Sequence, residues 1–183
     1  GYEVVALELP TVEYSLAVYY ILVPAEVSSN MARFDGVKYG LDVGGENGID
    51  DYFKTRGAGF GKEVRRRIIL GTYILSSGYY DAYFGTAENV RAMIRKELRD
   101  AFEKVDLILL PTTPSSAFKF GERSSPIGMY LEDIFTVPAN VSGCPCISFP
   151  FGTENNLPLG IELIGDLGRE DNIFKAGKEF LGE

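Results

Sequence analysis

Two periods of hydrophobic patterning run along this chain, and the places where one gives way to the other mark its elements. Residues 2–8 are apolar in the manner of a strand, and the chain opens on it without a preceding cap, as though a fold were entered part-way. Thr11 then offers a cap for a helix over about 12–23, with Leu16, Tyr19, Tyr20 and Val23 on its apolar face. Pro24 is expected to kink or break that helix, and a second helical stretch runs on to about Phe34. A turn-rich loop around Asp35-Gly36 fills 32–40, and the Gly-rich polar stretch over 41–61 leaves room for one short helix near 49–55. Residues 61–76 predict a helix that is apolar on most sides after a basic start, carrying Ile68, Ile69, Leu70, Tyr73, Ile74 and Leu75; such a helix is expected to be buried.

Gly78 separates it from a long amphipathic helix over about 79–104, on which Val90, Ile94, Leu98, Ala101 and Val105 recur at helical spacing. The apolar run 106–111 reads as a strand of a covered, parallel sheet. A Pro/Ser/Thr loop over 111–127, a short helix near 128–135, a strand from Cys146 to Pro150, a turn over 152–157, a strand from Leu159 to Ile164 and a closing helix over 169–181 complete the pattern. Strands alternating with helices define an α/β fold class. About four strands are too few for a comfortable closed sheet, which predicts edges that pair with a further portion of polypeptide.

Composition narrows the class. The 183 residues are long enough for one core. With 18 basic against 26 acidic residues the net charge is −8, which argues against this segment gripping nucleic acid by itself. No apolar run approaches the roughly 20 residues that span a bilayer, and no charged n-region precedes an apolar segment, so neither membrane association nor a signal peptide is expected. The two cysteines, Cys144 and Cys146, flank Pro145 and read as packed thiols in a reducing compartment. With no histidine and no other cysteine, no metal site is expected. The lack of histidine also excludes a Ser–His or Cys–His pair, and no Gly/Ser-rich turn displays a reactive hydroxyl, so no catalytic residue is assigned here.

Candidate binding residues each carry a plain structural reading beside the chemical one. The run Arg65-Arg66-Arg67 is ordinarily a solvated face paired with Glu63. Arg67 alone shares a stripe with Val64, Gly71 and Ile74, and Gly71 one turn on is expected to leave room for a group to approach; a guanidinium there could clamp a carboxylate. Asp133 is either a cap or turn residue or, opposite an arginine, a reader of an ammonium group. Tyr19 is ordinarily a core tyrosine with its hydroxyl satisfied locally. Asp35 and Tyr39 suit a turn, and Asp81 suits a helix start.

The segments ARFDGVKYG, GFGKEVRRRIILGT, SSGYYDAYF, DLILLPTTP, MYLEDIFTVPANVSG and LPLGIELIG occur in order. Together, from about Val4 to Phe180, they resemble the C-terminal half of the A subunits of tRNA-dependent amidotransferases, within the amidase signature family. The FDGVKYG and GFGKEVRRRI segments are specific to those subunits, whereas the wider family shares mainly the PTTP and PANVSG-like regions. The resemblance implies that 1–183 is the C-terminal half of an amidase-signature domain, part of an α/β/α sandwich with a mixed sheet. It implies a Ser–cis-Ser–Lys triad upstream of this segment, which needs no histidine. It implies glutamine as substrate, hydrolysed through an acyl-enzyme to supply ammonia. A partner B subunit would use ATP and Mg to activate Glu-tRNA(Gln), a C subunit would hold A and B together, and tRNA would be met only through B in a cytoplasmic complex. No cofactor is implied in this chain. By motif position Tyr19, Arg67 and Asp133 match the residues that hold glutamine's backbone groups: Arg67 the α-carboxylate, Asp133 the α-ammonium, Tyr19 a supporting hydrogen bond. Thr11 and Cys146 depart from the family, which often has His and Gly or Ala there. The alternatives are half of another amide hydrolase of the same family, or a non-catalytic fragment that needs its upstream half.

Overall fold

The computed structural model describes residues 1–123 and 125–182; Ser124, inside the predicted 111–127 loop, lies outside the described residues. The chain divides into two compact units, Gly1–Tyr19 with Asn89–Glu183, and Tyr20–Glu88.

The first unit is built on β1 (Leu107–Pro111), β2 (Cys146–Glu154) and β3 (Leu157–Gly165). The order is β1-β3-β2, and β3 pairs antiparallel with both neighbours, Ile108 opposite Ile164 and Ile147 opposite Leu163. The α/β class is therefore observed, but β1 is not the parallel strand its continuous apolar run suggested. Nor is it covered on both faces, since Ile108 is buried while Leu109 is 57% exposed, and an apolar run says nothing about strand direction; Asn155 and Asn156, at φ 50° and 64°, close a two-residue hairpin that forces β2 and β3 antiparallel. Residues of β3 alternate between two faces. Helix α7 (Glu170–Leu181) covers one of them, and Ile173 and Ala176 join Phe149 and Leu163 in a buried cluster flanked by Leu107, Ile147 and Ile161. Phe180 adds a ring 4.8 Å from Phe149. A Cβ at Gly165 would lie 2.9 Å from Ile173 Cγ2, so the strand end must be glycine for α7 to sit this close.

Helix α4 (Thr86–Phe102), of which Asn89 onward belongs to this unit, buries Ile94, Leu98 and Ala101 as its spacing predicts. Helix α6 (Val137–Ser142) buries five of its residues and stops at Gly143, whose φ of 84° is the left-handed turn that ends a helix. Its last carbonyls are taken up by α4: Arg91 Nε donates to Val141 O at 2.9 Å and Arg95 Nε to Ser142 O at 3.0 Å.

Residues 1–9 form no strand. Apolar patterning becomes a strand only where an edge pairs with it; here side chains tie the segment down instead. Glu97 Oε2 accepts from the amides of Thr11 and Val12 at 2.9 and 3.1 Å, and from the Thr11 hydroxyl. The Tyr2 hydroxyl donates to Glu179.

The second unit is helical. Helix α1 (Ser15–Asn30), of which Tyr20 onward belongs to this unit, runs unbroken through Pro24, contrary to the expected kink. Proline removes one amide donor, and here close packing offsets the loss: Pro24 is buried, and a Cβ on Gly71 of α3 (Lys62–Ile74) would meet the Pro24 carbonyl and stand 2.9 Å from Ser28 Cβ. The space beside Gly71 is thus filled by α1 and is not an approach for a ligand, which corrects the reading from spacing. The buried stripe of α1 is Val18, Leu22 and Ala25, displaced from the predicted Leu16, Tyr19, Tyr20 and Val23, because Pro24 and Ala25 provide the close approach. Helix α2 (Gly48–Gly59) is longer than predicted; Asn47 Oδ1 caps it through Ile49 N and Asp50 N, each at 3.1 Å. Arg56 Nη1 then anchors the preceding loop at Met31 O and Phe34 O, at 2.7 and 3.0 Å. Helix α3 is not buried all round: Ile69 is 70% and Tyr73 46% exposed. No helix among the described residues is long and apolar enough to cross a membrane.

Candidate functional site

Asp133 ends a 3-10 turn, Leu131–Asp133, that follows helix α5 (Pro126–Tyr130). Ser125 caps α5 by accepting from Gly128 N at 3.0 Å, and Pro126 fits the first helical position. The carboxylate of Glu132, next to Asp133, is engaged at both oxygens: Oε1 accepts from Arg123 Nε at 2.7 Å, and Oε2 from Ser115 Oγ at 3.3 Å. This bond with Glu132 raises the pKa of the Arg123 guanidinium. Beyond the turn, Thr136 Oγ1 donates to Asp133 O at 3.1 Å, and Asn140 Nδ2 donates to Thr136 O at 2.9 Å. Asp133 is exposed on a backbone held from both sides, an arrangement suited to meeting a cationic group.

Arg67 lies on α3 in the other unit. Its Nε donates to Glu63 Oε1 at 3.0 Å, and its guanidinium carbon stands 5.8 Å from the Tyr20 ring centroid. Glu63 also pairs with Arg66, so the plain reading of the basic run as a paired face holds for both arginines. Arg67 is the less exposed of the two, at 28% of its side chain against 50%, and a guanidinium anchored by Nε over an aromatic face keeps a fixed direction. Tyr19 sits half-buried on α1 and belongs, with Asp133, to the sheet-bearing unit.

Three features escaped the sequence. The Arg123–Glu132 pair joins residues across an irregular loop, where no periodicity points from one to the other. Arg91 and Arg95 lie one turn apart on the polar face of α4, and their spacing was the available signal. Glu162 is 2% exposed on β3, and no donor among the described residues reaches its Oε1. Burial pushes its carboxyl above the usual range, partly offset by a hydrogen bond from the Cys146 thiol. Desolvation pushes the thiol of the half-buried Cys144 up; Cys146 is exposed rather than packed as expected, and desolvation together with the neighbouring Glu162 carboxyl pushes its thiol up.

Helices packed on a three-stranded antiparallel sheet are the frame that carries these side chains. Residues 1–174 match the amidase family, and the chain belongs to that family. It is 55% identical over 175 residues to the A subunit of glutamyl-tRNA(Gln) amidotransferase from Pelagibacter ubique (strain HTCC1062), covering 94% of this chain and 36% of the relative. The corresponding protein of Roseiflexus castenholzii (strain DSM 13941 / HLO8) is 51% identical over 181 residues, covering 98% of this chain and 37% of that protein. The chain thus spans little more than a third of the length of these curated relatives. Among solved structures, the glutamyl-tRNA(Gln) amidotransferase A subunit from Thermotoga maritima superposes with a TM-score of 0.66 at 43% identity, over 92% of this chain and 32% of that one. A further amidase crystal structure, 23% identical with a TM-score of 0.68, shares the fold over 93% of this chain and 35% of its own.

Proposed function

We propose that this chain is the substrate-binding portion of a glutamine-hydrolysing amidotransferase A subunit that supplies ammonia for converting Glu-tRNA(Gln) to Gln-tRNA(Gln). The observation that carries the reading is the continuity of the match: more than half of the residues are identical over 94% and 98% of the chain in relatives described as that protein. In this reading Arg67 binds the α-carboxylate of glutamine, Asp133 the α-ammonium, and Tyr19 supports the pocket by a hydrogen bond. A guanidinium of fixed direction and an exposed carboxylate are the complements such a zwitterion requires. The nucleophile belongs to a Ser–cis-Ser–Lys centre outside these residues, in the part of the enzyme that precedes them. The B and C subunits complete a cytoplasmic heterotrimer, with ATP, Mg and tRNA handled by B.

Arg67→Ala in the assembled enzyme tests the reading. Truncating one partner of a buried charged contact costs about 2–5 kcal/mol, so kcat/KM for glutamine is expected to fall on the order of 30-fold or more. Glutamine-dependent ammonia release at the wild-type rate would overturn the assignment of Arg67.

A further inference from the structure

A charged pair fastens the turn that carries Asp133 to the loop before it, and we propose that this Arg123–Glu132 latch is the positioning device that aims Asp133 at the ammonium group of the substrate. The inference rests on the role given to Asp133 above. Residues 112–123 contain neither helix nor strand, so side chains must fix the loop. Glu132 does so from two places at once, taking Ser115 near the start of the loop and Arg123 near its end.

The side chain of Glu132 is 16% exposed and that of Arg123 32%, so the pair is partly withdrawn from water and its hydrogen bond is charge-assisted. Arg123 also lies over Phe118, 5.3 Å from the ring centroid, which restrains the guanidinium plane. Glu122 stands further off at 3.7 Å and is the weaker partner.

The geometry of the turn passes this restraint to Asp133. A 3-10 turn has about three residues per turn, so successive side chains diverge by roughly 120°. With Glu132 drawn inward onto the loop, Asp133 must project outward, and it is exposed. Arg123 balances the charge of Glu132 within the loop. Glu132 and Arg123 touch no substrate in this scheme; they are positioning residues.

Charge reversal tests the latch in the assembled enzyme. Glu132→Arg and Arg123→Glu are each expected to raise KM for glutamine about tenfold, with kcat held within about twofold, since what is lost is binding common to ground and transition states. The double variant with the pair exchanged restores most of the KM, a recovery that general destabilisation does not produce. Glu132→Gln keeps the shape and the hydrogen bonds and serves if a reversal fails to assemble; it is expected to raise KM about threefold. Asp133→Asn is measured alongside. If it raises KM while the latch variants leave KM unchanged, the latch is overturned and the glutamine reading stands. If Asp133→Asn also leaves KM unchanged, the role of Asp133 fails and the latch falls with it.

Discussion

Helices α7 and α3 are nearly the same length, 12 and 13 residues, and both are rich in apolar side chains, yet they use them in opposite ways. In α7 the apolar stripe meets the sheet, and Ile173 and Ala176 are buried there. In α3 the buried positions are Gly71 and Ile74, while Ile69, Leu70 and Tyr73 face outward. The outward tyrosine joins a ladder of rings, its centroid 4.4 Å from Tyr79 and 6.2 Å from Tyr83. A hydrogen bond with Tyr79 is the main cause that pushes the Tyr73 hydroxyl up to about 12. Periodicity sorts residues onto faces; whether a face is buried depends on what this chain provides to cover it.

The largest effect that separates the two helices comes from one substitution made in each. Ile173 is 2% exposed, so Ile173→Ala leaves a cavity and is expected to cost about 2–5 kcal/mol. Ile69→Ala, at a position 70% exposed, is expected to stay within about 0.5 kcal/mol. Urea unfolding of both variants checks the contrast. Equal losses would mean that the outward face of α3 is covered in solution, and the comparison breaks.

A smaller effect tests why α3 packs by its glycine. Alanine has the higher helix propensity by about 1 kcal/mol, so Gly71→Ala in an open helix stabilises. Here the added methyl meets the Pro24 carbonyl and Ser28. The expected result is a net loss of about 1–3 kcal/mol, seen as a lower urea midpoint. A gain in stability shows that the two helices do not approach so closely in solution.

How much of this was legible beforehand follows the same division. Ile94, Leu98 and Ala101 were readable because a regular period over several turns leaves one face to bury. The hairpin at Asn155-Asn156 lay within a predicted turn, but the direction of β1 was not readable, because a continuous apolar run does not encode direction. Pro24 misled because local backbone chemistry was read without its tertiary neighbour, and Gly71 was misread as open space for the same reason. Of the proposed site, Tyr19, Arg67 and Asp133 come from the order of the motifs, and their binding roles belong to the proposed function. Glu132 and Arg123, which hold the Asp133 turn, are joined across an irregular loop and carry no signature of their own.

The smallest expected effect concerns the face of β3 turned away from α7. Glu162 lies there with Oε1 unpartnered, and burial holds its carboxyl above the ordinary range. A carboxyl whose pKa is higher folded than unfolded favours the folded state while protonated. That contribution is full below the unfolded value of about 4.3 and is lost as pH rises through the folded value. Glu162→Gln keeps the shape and removes the titration. The variant is therefore expected to match the wild type near pH 4 and to exceed it by about 1 kcal/mol at pH 8. Urea unfolding of both proteins at the two pH values checks this. A difference that stays constant with pH shows that Glu162 reaches water or a donor in solution, so that the second face of the sheet is open where the α7 face is closed.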